Sequence, residues 1–123
     1  MIKIIGKIGL AIGIGFLLIN LLTGGPENAP TDLAKQVEQG ALLIDTRTPS
    51  EFSGGHVKGA INIPHDQIVQ RIGQYETDPS KPIIVYCRSG NRSSLARHDL
   101  IEAGYTNVVN AGSIGDLQKQ LKK

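Results

Sequence analysis

The chain holds a single cysteine, Cys87, at the head of the run Cys87-Arg88-Ser89-Gly90-Asn91-Arg92-Ser93. Before it lies the apolar stretch Pro82-Ile83-Ile84-Val85-Tyr86, and after it a segment with helical spacing. A short glycine-containing turn between strand and helix can converge backbone N–H groups into an anion-binding nest. The helix start adds its dipole, and Arg88 and Arg92 add formal positive charge. All of these favour a thiolate. A free cysteine is only about 3% ionised at pH 7, and about 2.7 kcal/mol of preferential stabilisation makes the charged form the majority. The competing reading, a packed cysteine ending a core strand, is disfavoured by the arginines and the polar loop. A thiolate so placed can become a cysteinyl phosphate or carry a sulfur atom as a persulfide. Three phosphoryl oxygens need a wide ring of donors, whereas one terminal sulfur needs a tighter ring. From Cys87 to Arg92 inclusive the loop has six residues, Cys-x4-Arg.

The rest of the composition narrows the field. A length of 123 residues allows one small domain and a short appendage. Thirteen Lys and Arg against eleven Asp and Glu give +2, and Lys3 and Lys7 supply the whole excess. Beyond residue 25 the charge is balanced, which argues against nucleic-acid binding through a basic stripe. With 40% apolar and 20% charged residues the chain is not of disordered composition. One cysteine excludes a disulfide scaffold and a Cys-x-x-Cys zinc site, and three scattered histidines make no metal centre.

Residues 1–22 read as a signal peptide or signal-anchor helix. Lys3 and Lys7 precede an uncharged run, Ile8 to Leu22, of fifteen residues. As helix that run spans about 22 Å, and starting at Ile4 extends it to about 28 Å, against roughly 30 Å of hydrocarbon. There is no Ala-x-Ala, and Pro26 follows Gly25, so an uncleaved anchor through residues 4–22 is favoured over cleavage. The two lysines keep the N-terminus in the cytoplasm and send the remainder of the chain to the periplasmic side, either anchored or, after cleavage, free. Residues 23–30, TGGPENAP, form a linker. Residues 31–123 form the domain.

Within the domain, helical and extended segments alternate. Thr31 is placed to cap a helix over 32–39, stopped by Gly40. Ala41 to Asp45 is a continuous apolar run ending in an acid, suited to a buried parallel strand. Thr48-Pro49-Ser50-Glu51 is a capping box with proline at the first helical position. Residues 60–64 read as a short strand, 67–73 as helix and 82–86 as the strongest strand. Residues 93–103 read as helix with Gly104 as stop, 108–109 as a last strand and 113–121 as a last helix. Such alternation predicts a parallel sheet with helices on both faces. Ligands bind outside the carboxyl ends of such strands, which is where Cys87 falls.

Two stretches resemble the rhodanese sulfurtransferases: LLIDTRTPSEFSGGHVKGAINIP (42–64) and KPIIVYCRSGNRSSLARHDLIEAGYTNVVNAGS (81–113). With their connections they span nearly all of 31–121, in the family's order and separation, and the chain looks like the family's single-domain, exported members. The six-residue loop matches the family, whereas its phosphatase relatives carry Cys-x5-Arg. The resemblance implies a rhodanese-like open parallel sheet with helices on both faces, preceded here by the N-terminal hydrophobic helix. It implies Cys87 as nucleophile and persulfide carrier. The backbone of Arg88, Ser89, Gly90, Asn91, Arg92 and Ser93 would cradle the outer sulfur, with Arg88 and Arg92 helping to bind an anionic donor. Asp45 and Arg47 match the family's Asp-x-Arg and are expected to brace the loops as an ion pair. His56 lies in a Gly-His-x-x-Gly-Ala turn and is expected to be structural, because persulfide transfer needs no proton abstraction once the thiolate exists. His65 and His98 are expected at the surface. The family usually has Gly-Gly and then tryptophan near the C-terminus. Here Gly112-Ser113 and Leu117 stand in that region, which questions the packing of the last helix and one wall of the pocket.

The implied activity is thiosulfate sulfurtransferase chemistry with no cofactor and no metal. Small sulfur donors and acceptors are its partners, and a physiological acceptor protein is left unspecified. A second reading is a membrane-tethered sulfur-carrier or binding module without small-molecule turnover. A third, an arsenate reductase or phosphatase, is disfavoured by loop length.

Overall fold

Two apolar runs, residues 41–45 and 82–87, are rich in branched side chains and long enough for one strand each. They become the two central strands of the sheet. The computed structural model describes residues 32–122, so the expected anchor at 1–22 and linker at 23–30 lie outside the described residues. Helix α1 (Leu33–Glu38) leads into β1 (Leu42–Asp45), α2 (Pro49–Ser53) and β2 (Ile61–Asn62). Helix α3 (Ile68–Arg71) precedes β3 (Ile83–Cys87), α4 (Asn91–Glu102), β4 (Val108–Ser113) and α5 (Ile114–Leu121). The four strands form one sheet in the order β2-β1-β3-β4, and each neighbouring pair is parallel.

From β1 the chain moves to one side to make β2, then returns past β1 to make β3 and β4. The strand order therefore reverses between β1 and β3, the place where open α/β sheets form a crevice at their carboxyl ends. In register, Leu42 faces Ile83 and Asp45 faces Tyr86. Residues at the ends of β1 and β3 thus arrive side by side.

Alternation along the strands sorts the core into two layers. Ile44, Ile83, Val85 and Val108 pack with Ile68 of α3 and with Ala96 and Leu100 of α4. On the other face Leu43, Ile84 and Tyr86 pack with Leu33 of α1, Val57 and Leu117 of α5. Leu117 is fully buried there, so the last helix docks without the family's tryptophan. A leucine fills that layer from the same helix.

Local differences from the sequence expectations have local causes. The cap of α1 is Asp32, whose carboxylate accepts from the Lys35 amide at 3.0 Å, rather than Thr31. The expected helix 67–73 is a short α-helical turn flanked by 3-10 turns at His65–Gln67 and Ile72–Gln74. It is anchored by buried Ile68 and Ile72. Strand β4 continues through Asn110-Ala111-Gly112-Ser113, residues of low strand propensity, because β3 pairs with it across a register shift between Val85 and Cys87. His98 is exposed as expected, but His65 is half-buried.

Candidate active site

Cys87 ends β3 with its side chain on the α4 side of the sheet, the same side as Ile83 and Val85. It has no solvent-exposed surface, yet its sulfur does not lie among aliphatic groups. The Gly90 amide donates to Sγ at 2.9 Å, and the Ser93 hydroxyl lies 3.4 Å away. Gly90 occupies the N-cap position of α4 with φ +99°, a left-handed conformation that costs an L side chain about 1–2 kcal/mol. That turn lets the chain double back so that its amides face the sulfur. It also starts α4 at Asn91, two residues before the sequence pattern places it.

Burial has the largest single influence on the thiol and pushes its pKa up. The Ser93 hydroxyl and the amides of Ser93, Gly90 and Ser89 together outweigh burial, and the thiol lies below its ordinary value of 9.0. The cradle therefore works through main-chain N–H groups and one hydroxyl. The Arg92 charge also couples to the sulfur, with a smaller influence than these donors.

Ser93 is buried, and its one hydroxyl proton has three acceptors in reach: Asn110 Oδ1 at 2.7 Å, Gly90 O at 3.1 Å and Cys87 Sγ at 3.4 Å. Asn110 also fixes the loop from β4. Its Nδ2 donates to Gly90 O at 3.3 Å, and its Oδ1 accepts from the Gly112 amide at 2.9 Å. Only 3.5 Å separates the position of a Gly90 Cβ from Gly112 Cα, so loop and strand are in close backbone contact.

The end of β1 supplies a buried brace. Asp45 accepts from the Arg47 amide at 2.9 Å and from the Arg47 guanidinium at 2.7–3.1 Å. Arg47 also donates to Gly55 O at 2.7 Å, which ties the Gly-His turn to β1. Tyr86 donates its phenol to Asp45 Oδ2 at 2.9 Å and accepts from the Val57 amide at 3.0 Å. Burial first, then the Asp45 carboxylate, raises the Tyr86 pKa far above its ordinary value, so the phenol stays a donor. Asp45 and Arg47 are thus joined as a buried ion pair that also reaches the Gly-His turn. His56 stacks on Phe52 with ring centroids 3.7 Å apart, and its Nδ1 lies 2.9 Å from Phe52 O at an exposed position.

The two loop arginines differ. Arg88 is exposed and makes no side-chain hydrogen bond or ion pair among the described residues, and the same holds for the side chain of Asn91. Arg92 is held in a two-pronged ion pair with Glu51, Nη1 to Oε1 at 2.7 Å and Nη2 to Oε2 at 3.0 Å. Glu51 closes the capping box of α2 as well, accepting from the Thr48 amide at 3.1 Å. The Arg92 guanidinium, then the Thr48 amide, hold its carboxyl at about 2. The family resemblance assigns Arg92 to an anionic donor, whereas in the fold it already has a carboxylate partner. Glu51, Tyr86 and Asn110 are site residues that sequence reasoning missed. Glu51 alone carried a signal, as the third helical residue of the capping box.

A buried cysteine whose sulfur accepts from a main-chain amide in a strand–loop–helix cradle, at the switch point of an open parallel sheet, defines a class of thiolate group-transfer domains. The chain belongs to the rhodanese-like domain family, whose model matches residues 29–115. It is 42% identical over 74 residues to the thiosulfate sulfurtransferase PspE of Escherichia coli (strain K12), covering 60% of this chain and 71% of that one. With the thiosulfate sulfurtransferase GlpE of Pseudomonas syringae it shares 35% identity over 73 residues, 59% of this chain and 67% of that one. A solved E. coli rhodanese with anions superimposes with a TM-score of 0.61 at 40% identity, covering 63% of this chain and 91% of that chain.

Proposed function

We infer that the chain is a sulfurtransferase that moves a sulfane sulfur from thiosulfate or a persulfide donor to a thiophilic acceptor, cyanide or a thiol, through a Cys87 persulfide. The observation that carries this reading is the convergence of the Gly90 amide and the Ser93 hydroxyl on Cys87 Sγ. Those donors stabilise the attacking thiolate, and the same ring suits the terminal sulfur once it is attached.

In the first half-reaction the Cys87 thiolate attacks the outer sulfur of thiosulfate. A Cys87 S–S bond forms, the donor S–S bond breaks, and sulfite leaves with the bonding electron pair. In the second, cyanide attacks the terminal sulfur of the persulfide. Thiocyanate forms and the electron pair of the breaking S–S bond restores the thiolate. No net proton transfer is required, in line with a structural His56. With no second cysteine in the chain, the persulfide has no internal thiol to collapse onto, and the sulfur leaves to another molecule.

The charge pattern of residues 1–25 supports an exported domain on the periplasmic side of the membrane, tethered through residues 4–22 with 23–30 as linker. Whole-protein mass spectrometry tests both parts. Incubation with thiosulfate should add about 32 Da, one sulfur, at Cys87, and cyanide should remove it. The mass of the N-terminal peptide reports cleavage. Cys87→Ser should abolish both the added mass and thiocyanate production while shifting the melting temperature by less than about 5 °C. Thiocyanate turnover retained in Cys87→Ser overturns the mechanism. A persulfide that forms but never releases to cyanide or a thiol makes the domain a carrier.

A further inference from the structure

The charges around Cys87 nearly cancel. Arg47 is consumed by Asp45 and Arg92 by Glu51. Of the arginines at the site, Arg88 alone has no acidic partner among the described residues, so one unpaired positive charge stands in the loop against one thiolate. A doubly negative donor therefore meets a site with no surplus of positive charge.

Glu51 is the residue that sets this balance. A loose surface carboxylate could be displaced by an incoming anion, but Glu51 is not loose. Both oxygens grip Arg92, while Oε1 also accepts from the Thr48 amide and hydroxyl, each at 3.1 Å. The helix cap of α2 thus fixes the carboxylate, and the carboxylate fixes the guanidinium. A charge-assisted pair with both partners held is a poor competitor for a second anion.

We propose that Glu51 is a donor-selectivity residue: by neutralising Arg92 it tunes the site to sulfane donors carrying no more than one negative charge, such as alkyl persulfides and thiosulfonates, over dianionic thiosulfate. This rests on the sulfur-transfer reading above and narrows its substrate class. The chemistry is unchanged. With a thiosulfonate the Cys87 thiolate takes the outer sulfur, and a sulfinate leaves with the electron pair.

Thiosulfate and methanethiosulfonate form the probe pair, since they differ by one charge and present the same sulfur atom. Glu51→Gln keeps a carbonyl oxygen for the Thr48 amide but removes the charge that balances Arg92. The ratio of kcat/KM for thiosulfate to kcat/KM for methanethiosulfonate should rise about fivefold over the wild-type ratio. The gain should fade as salt is raised through about 0.5 M, where charges screen within a few Å. A brace with no electrostatic role would lower both efficiencies together and leave the ratio unmoved, which overturns the proposal. Should Glu51→Gln fail to fold, the wild-type chain decides. Its thiosulfate efficiency should change less than about twofold between low and 0.5 M salt, and a steep fall overturns the proposal. If neither donor leaves a persulfide on wild-type Cys87, the sulfur-transfer reading itself fails, a result distinct from an unmoved ratio.

Discussion

Asp45 and Tyr86 are cross-strand partners twice over: their Cα atoms are in register between β1 and β3, and the Tyr86 phenol donates to Asp45 Oδ2 at 2.9 Å. The residue preceding the nucleophile is thereby bonded to the residue that ends the adjacent strand. Both are buried with Arg47 and Val57, and the Arg47 bond to the exposed Gly55 carbonyl ties the set to the surface turn.

Breaking that set is expected to be costly. Asp45→Ala leaves the Arg47 guanidinium and the Tyr86 phenol without their acceptor, and a buried charge stripped of its partner costs about 3–5 kcal/mol. Tyr86→Phe removes one hydroxyl and leaves the Val57 amide unpaired, a loss of about 1–2 kcal/mol. Urea unfolding at neutral pH measures both, and the order Asp45→Ala worse than Tyr86→Phe is the outcome to check.

The thiol supplies a pH prediction. Cys87 ionises below its ordinary 9.0, so its rate of alkylation by iodoacetamide should climb with a midpoint below that of a free thiol. Linkage gives the matching stability effect. Between the folded value and 9.0 the unfolded chain binds more protons, so stability rises with pH across that window. The wild-type advantage over Cys87→Ser should therefore grow as pH increases towards 9.0 and level off above it. Ser93→Ala removes a donor to the sulfur, and its alkylation midpoint should lie higher, with several-fold slower labelling at about pH 7.

Gly90→Ala tests the turn itself. At φ +99° an alanine is strained whatever room it finds, a penalty of about 1–2 kcal/mol. Relief of that strain rotates the Gly90 amide away from Sγ. Thiocyanate turnover should fall by at least about tenfold while the fold persists, read by steady-state kinetics beside circular dichroism.

Glu51 predicts an acid limit. Its carboxyl is held at about 2, against an ordinary 4.5, by Arg92 and then by Thr48. A depressed carboxyl stabilises the fold fully above the ordinary value and loses that contribution as pH falls through the depressed one. The difference in stability between wild type and Glu51→Gln should hold down to about pH 4.5 and vanish near pH 2. Urea titrations across that range measure it.

Much of this was legible in the order of residues along the chain. The strands around 41–45 and 82–86 announce themselves by branched apolar runs, and the capping box at Thr48 to Glu51 by local spacing alone. The cysteine loop is likewise local, with its chemistry and its position contained in seven consecutive residues. What escaped was set by contacts across the sheet. Tyr86 reads as one more strand residue until β1 is laid beside β3, because nothing local says that its phenol will meet Asp45. The second partner of Glu51 lies 41 positions away, at the start of α4, and no local spacing announces it. The length of β4 was hidden because Asn110 to Ser113 have little strand propensity and are held by pairing with β3.

Cys87 has no accessible surface, and this shapes the rate law of anything that reacts with it. An electrophile or donor must wait for the turn above the sulfur to part, so the observed rate is an opening step followed by capture. Raising reagent concentration should then drive labelling to a plateau shared by small and bulky reagents alike, and the height of that plateau is the frequency with which the turn opens.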